Sequence, residues 1–228
     1  MSDGRLPLLL VGATGLVGTA LLAATARPGA PTLAALARRA VVLPAGARLE
    51  MMVADPAQWP AAIARARPDV LVVALGTTMA AVGGDRQAFR GVDHDLVIAV
   101  AQAARAAGTR QVIVVSSVGA DAASRNFYLA VKGEAEAALA RLNFPRLDIL
   151  RPGLLRGARG GAPRPAERFG QIVAPVIDRL LWGRLAAFGS VHARDMALAI
   201  LSLAGLPGLG RHVHGTPDIR RLAKAGRL

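Results

Sequence analysis

The chain of 228 residues contains no cysteine, which excludes disulfides, thiol nucleophiles and thiolate metal sites and leaves no mark of an oxidising compartment. Lysine is almost missing too: Lys132 and Lys224 are the only two, and the other basic residues are arginine or histidine. Lysine and arginine exceed acidic residues by 28 to 15, a net charge of +13. The arginines are scattered, with no Lys/Arg block and no interleaved aromatics, so no specific nucleic-acid partner is expected. Aromatic residues are so few that the one tyrosine, Tyr128, stands out. A single uncharged stretch, Leu6 to Ala26, is long enough to cross a bilayer, and it ends like a signal-peptidase site. Its glycines and threonines make a poor spanning helix, and its beginning is needed as a strand, so no membrane insertion is expected. Cytoplasmic location is the default.

Several catalytic arrangements are also lacking. No Gly-x-Ser-x-Gly elbow occurs,. His212 and His214 share one face of a possible strand but have no companion at ligand spacing, so no metal is expected. His192 beside Asp195 reads as a turn and helix start. Glu134 and Glu136, two apart on a helix, do not face each other and read as a solvated edge.

What is present begins with Gly12-Ala13-Thr14-Gly15-Leu16-Val17-Gly18. It follows the apolar run Leu6 to Val11 and precedes Thr19 to Ala26, a strand–turn–helix sequence. Glycine lets the backbone turn sharply and lets a pyrophosphate approach the amides, and the helix N-terminus adds unpaired N–H groups and positive dipole charge. The first strand–helix junction is where doubly wound folds hold a dinucleotide. Further apolar runs at Thr32 to Ala37, Leu49 to Val53, Val70 to Leu75, Gln111 to Ser116 and Asp148 to Leu150 alternate with helical stretches. One of these helices carries the stripe Leu96, Val97, Val100, Ala103, Ala104 and Ala107, closed by Gly108; another runs from about Phe127 to Leu142. The pattern predicts an α/β fold, a Rossmann-type doubly wound parallel sheet with a small C-terminal substrate lobe. One domain over 1–228 is expected, with a cofactor core over about 1–155 and the lobe over about 156–228. Arg156 to Arg168 reads as a loop and the residues from Phe169 as an amphipathic helix.

Two features bear on chemistry. At the end of the second strand, where an acid selects NAD, stand Arg38 and Arg39; two guanidiniums suit a 2′-phosphate, so NADP(H) is preferred, with NAD(H) as the alternative. Tyr128 and Lys132, at i and i+4, lie on one helix face, where the ammonium can lower the phenol's pKa from about 10 and poise it as a general acid/base.

Taken in order, Gly12 to Gly18, Arg38-Arg39, Ala74-Leu75-Gly76-Thr77-Thr78, Ser116-Ser117-Val118-Gly119-Ala120, Asn126 to Glu134 around Tyr128 and Lys132, and Leu150-Arg151-Pro152-Gly153-Leu154-Leu155 form a set. Over about residues 6 to 205 it resembles the atypical NAD(P)H-binding branch of the short-chain dehydrogenase/reductases, nearest the Tat-interacting-protein type of oxidoreductase. The resemblance implies Tyr128 as proton donor/acceptor and Lys132 as its partner, also bonding the nicotinamide ribose. It implies a serine orienting the substrate carbonyl: of Ser116 and Ser117, which alternate across the strand end, Ser117 is favoured. It implies Leu75 and Gly76 against the adenosine ribose, Asp55 toward the adenine amino group and Leu155 near the nicotinamide. Asp93 stands where many relatives carry Asn. The reading is an NADPH-dependent oxidoreductase acting on a small carbonyl or hydroxyl substrate. The alternatives are a non-catalytic NADPH sensor acting through a protein partner, or a nucleotide-sugar epimerase or dehydratase. Helices flanking the Tyr-Lys face serve dimerisation in many relatives, so a homodimer or a regulatory partner is an expectation.

Overall fold

A computed structural model describes residues 7–26, 32–41, 49–157 and 188–226. Its centre is a seven-stranded parallel sheet built from β1 (Leu8–Val11), β2 (Leu33–Ala37), β3 (Leu49–Val53), β4 (Val70–Val73), β5 (Gln111–Val115), β6 (Arg146–Arg151) and β9 (Gly210–Gly215), in the spatial order β3-β2-β1-β4-β5-β6-β9. Strand order reverses between β1 and β4, the switch point where such sheets open a crevice at their carboxyl ends. A separate two-stranded pair joins β7 (Leu155–Arg156) to β8 (Val191–His192).

Helices cover both faces, which is why β1 and β4 are apolar throughout and buried at every position,. On one face α1 (Leu16–Thr25) packs with α6 (Ala193–Leu203). Leu21, Leu22, Met196, Ile200 and Leu203 join Leu8, Leu10 and Ile113 of the sheet in one core. α7 (Thr216–Ala225) docks on α6 and adds Ile219. On the other face lie α2 (Trp59–Ala66), α4 (Leu96–Ala106) and α5 (Phe127–Arg141). There Ile63, Val97, Val100, Ala104 and Leu139 meet Leu9, Leu71, Val73 and Ile149. Each fully buried Leu, Ile or Val contributes about 1.5–3 kcal/mol relative to exposure. Residues 210–225, expected in a substrate-side lobe, supply the seventh strand of the main sheet and a helix against it. The amphipathic helix expected from Phe169 lies outside the described residues.

β6 is longer than its apolar centre because its charges are satisfied inside the protein. Asp148, fully buried, accepts from Arg146 Nε at 2.7 Å and Nη2 at 2.9 Å, and from Gln111 Nε2 at 2.8 Å. His214 Nε2 lies 2.9 Å away on β9. Burial raises the Asp148 pKa, but the bonds from His214, Arg146 and Gln111 outweigh it and bring the pKa from 3.8 down to about 2,. The network ties the edge strand β9 to the sheet. It also gives His214 an acidic companion that sequence spacing had hidden, 66 residues away in the chain.

Candidate active site

The glycine loop works by three different contacts. Gly12 turns the chain out of β1 at φ +101°, and a Cβ there would sit 2.5 Å from the Ala74 carbonyl oxygen. Gly18 lies in α1 where a Cβ would fall on the backbone of Gly12 and Ala13, so its absence seats the helix on the loop. Gly15 caps α1 with extended backbone, no side-chain capping bond and no acid in the first turn. The first-turn amides of α1 thus lack a side-chain acceptor at the end that faces the crevice, which suits the pyrophosphate of a dinucleotide.

That crevice is a cleft of about 420 Å³. Thr14, Gly15, Leu16 and Val17 form one wall, Ala74 to Thr78 with Ala81 another, and Val115, Ser116, Asp93, Tyr128, Lys132 and Leu155 the far side. Arg39 lines it from the end of β2. Of the residues expected at the cofactor, Leu75, Gly76 and Leu155 line the cleft, while Gly12, Ala13 and Gly18 lie behind its wall. Arg38 and Asp55 do not line the cleft. The Asp55 carboxylate instead accepts from the Ala57 N–H at 2.9 Å, capping a short 3₁₀ turn at Pro56–Gln58.

α5 brings Tyr128 and Lys132 to the cleft for identifiable reasons. Asn126 caps it by accepting from the Leu129 amide at 3.2 Å. The buried ring of Phe89, on α3 (Arg86–Arg90), meets Phe127 at 5.7 Å and Tyr128 edge-on at 5.8 Å, contacts that contribute about 0.5–1.5 kcal/mol each beyond burial. Gly133 lets α5 lie against the backbone of Asp121 and Ala122. Lys132 is buried, its Nζ 2.8 Å from Asp93 Oδ1.

The two serines separate as strand alternation requires, but opposite to the preference for Ser117. Ser116 is buried and lines the cleft; Ser117 does not, and its hydroxyl donates to the Val118 carbonyl at 3.3 Å. The Ser116 hydroxyl donates to Glu136 Oε1. Glu136 is no solvated edge: it is buried, and Arg151 grips both its oxygens, donating from Nε to Oε1 at 2.9 Å and from Nη2 to Oε2. The Glu136 bond raises the Arg151 pKa further, against desolvation. Glu134 pairs with Arg90 at the surface.

The sequence marked Asp93 only as standing where many relatives carry Asn, and Glu136 only as a solvated edge; neither was assigned a role in this site. A signal existed for both: Asp93 lies four, seven and eleven residues before Val97, Val100 and Ala104, on their buried stripe, and Glu136 follows Lys132 by one helical turn,.

A doubly wound parallel sheet whose switch-point cleft is walled by a glycine loop, a glycine-capped helix N-terminus and a Tyr-x-x-x-Lys helix defines a nucleotide-binding protein of the short-chain dehydrogenase/reductase type. A family profile described as NAD(P)H-binding matches residues 12–179, and the chain belongs to that family. Among curated relatives it is 41% identical over 182 residues to "Protein FMP52, mitochondrial" of Eremothecium gossypii, spanning 78% of this chain and 79% of that one. It is 35% identical over 178 residues to "Protein fmp52, mitochondrial" of Emericella nidulans, spanning 75% and 76%. Among solved structures, MoeE5 in complex with UDP-glucuronic acid and NAD superposes with a TM-score of 0.67 at 16% identity, over 90% of this chain and 74% of that one. These relatives correct one expectation: the cytoplasmic placement is overturned by relatives whose names place them in mitochondria. No described helix is long and apolar enough to cross a membrane.

Proposed function

We propose that this chain is an NADPH-preferring oxidoreductase acting on a small carbonyl or hydroxyl substrate, with Tyr128 as its general acid/base. The observation that carries the proposal is the convergence of Arg39, the α1 N-terminus, Tyr128 and Lys132 on one cleft. The residues present suit the cofactor: the first turn of α1, whose Gly15 cap offers no side-chain acceptor, would take the pyrophosphate, Arg39 the 2′-phosphate, and Lys132, beside Gly76, the ribose,. Reduced nicotinamide, when bound, supplies hydride.

The chain's own residues handle the proton. The Tyr128 hydroxyl gives a proton to the substrate's carbonyl oxygen; in the reverse direction the Tyr128 phenolate takes one from the substrate's hydroxyl. Lys132 would hold the ribose, on the same face of α5 as Tyr128,. Ser116 replaces Ser117 as the serine at the substrate position. Leu16, Leu75, Val115 and Leu155 give the cleft apolar surface beside its polar groups.

A carbonyl panel followed by NADPH consumption tests this. The parent turns over at least one member, and Tyr128→Phe loses about 10²–10⁴-fold in kcat while binding NADPH as the parent does. Undiminished turnover in Tyr128→Phe contradicts the assignment. Saturable binding with no turnover across the panel points to a sensor, and turnover of a nucleotide sugar without added cofactor points to an epimerase.

A further inference from the structure

We propose that Asp93 is a positioning residue that clamps the Lys132 ammonium to the β4 loop, fixing both before cofactor arrives. The proposal rests on the reading of Lys132 as a cofactor-holding residue. Asp93 sits in a π-helical turn, Gly91–Asp95, between α3 and α4, and such turns recur at functional sites because the extra residue redirects side chains. The Asp93 side chain is 1% exposed. Its Oδ2 accepts from the Thr77 amide at 2.7 Å, while Oδ1 faces Lys132 Nζ at 2.8 Å as an ion pair whose angles fall outside hydrogen-bond geometry. One carboxylate thus joins the π turn, the loop that walls the cleft and the lysine of α5.

Gly76 completes the arrangement. A Cβ there would stand 3.4 Å from Asp93 Oδ1 and 3.9 Å from Lys132 Nζ, so the pair lies directly beneath the loop surface that faces the cleft. A buried ammonium needs a partner, and a buried carboxylate needs one equally. The neighbouring charges are committed elsewhere: Glu134 to Arg90, Glu136 to Arg151 and Ser116, Asp95 to His94, and Arg86 to the Phe127 ring at 5.1 Å. Asp93 therefore acts on cofactor through Lys132, with no contact of its own required.

NADPH titrations by fluorescence, paired with urea unfolding, test this on the full chain in four forms: parent, Lys132→Met, Asp93→Asn and the double variant. Asn keeps an oxygen for the Thr77 amide but removes the charge. Each single variant is expected to lose about tenfold in affinity, the scale of one lost charge-assisted contact. The double variant loses no more than Lys132→Met alone, and it is more stable than Lys132→Met, because a carboxylate left unpaired has gone. Parent-like affinity in Asp93→Asn, or losses that multiply in the double variant, overturns the proposal. If Asp93→Asn does not fold, the comparison of the double variant with Lys132→Met still decides: a double variant no more stable than Lys132→Met overturns the pairing. Parent-like affinity in Lys132→Met would instead sink the cofactor-holding reading on which the proposal stands.

Discussion

Alanine at Gly12 separates what the glycine loop does for the fold from what it does for the ligand. The added Cβ would lie 2.5 Å from the Ala74 oxygen, 2.6 Å from its carbonyl carbon and 2.9 Å from the Leu75 nitrogen. All three are backbone atoms, and Ala74 is held by its N–H donating to the Val11 carbonyl at 2.9 Å, so no side chain can swing aside. Holding alanine at φ +101° adds strain of about 1–2 kcal/mol, and overpacking against fixed neighbours adds about 1–3 kcal/mol. The more restricted unfolded chain returns about 0.4–1 kcal/mol, leaving a net loss of roughly 2–4 kcal/mol and a melting temperature lower by roughly 4–16 °C for a domain of this size. Gly15→Ala is the control: its Cβ meets nothing nearer than 3.4 Å at an ordinary φ of −78°, so stability stays within about 1 kcal/mol. Thermal unfolding followed by far-ultraviolet circular dichroism reads both. A Gly12→Ala protein that melts with the parent, or a Gly15→Ala protein that falls as far as Gly12→Ala, refutes this assignment of roles.

Arg39→Ala is expected to weaken NADPH binding by about 10–100-fold, the scale of a charged hydrogen bond lost, and to leave NADH binding unchanged; Arg38→Ala leaves both affinities unchanged, and parallel titrations check both. Gly133→Ala gains about 1 kcal/mol in helix propensity; overpacking against the backbone of Asp121 and Ala122 costs up to about 3 kcal/mol and wins, and urea unfolding registers a net loss of about 2 kcal/mol or less. Asp148 has a folded pKa of about 2 against an ordinary 3.8, so its contribution is fully present above about pH 4 and is lost as pH falls toward 2. Urea midpoints measured from pH 5 to about pH 2 decline in the parent, and the decline is shallower in Asp148→Asn. Equal slopes in the two proteins contradict the linkage.

Much of the fold was legible because parallel strands covered on both faces must be apolar, and β1, β2 and β4 are. The sequence run Val70 to Leu75 ended late because Ala74 and Leu75, apolar but outside the sheet, are diverted to wall the cleft. β6 was read as three residues where six are paired, since Arg146 and Asp148 look like strand ends until their mutual bond inside the protein is known. The cofactor wall followed from glycine spacing, which encodes backbone approach directly. The burial of Asp93 and Glu136 had a trace in helical spacing, but their partners did not, because Thr77 and Arg151 come from other elements of the fold. Ser116 and Ser117 were separable in principle by strand alternation, but which of them faces the cleft depends on the register of β5 against its helices.

Cofactor choice is the most direct measure of the account: titration of the purified protein with NADPH and NADH in parallel, followed by reduced-nicotinamide fluorescence. NADPH is expected to bind saturably in the micromolar range and NADH at least about tenfold more weakly, the difference tracing to the 2′-phosphate at Arg39. Equal affinities would remove Arg39 from the cofactor site, and saturable binding of neither would contradict a dinucleotide-binding cleft at the α1 N-terminus.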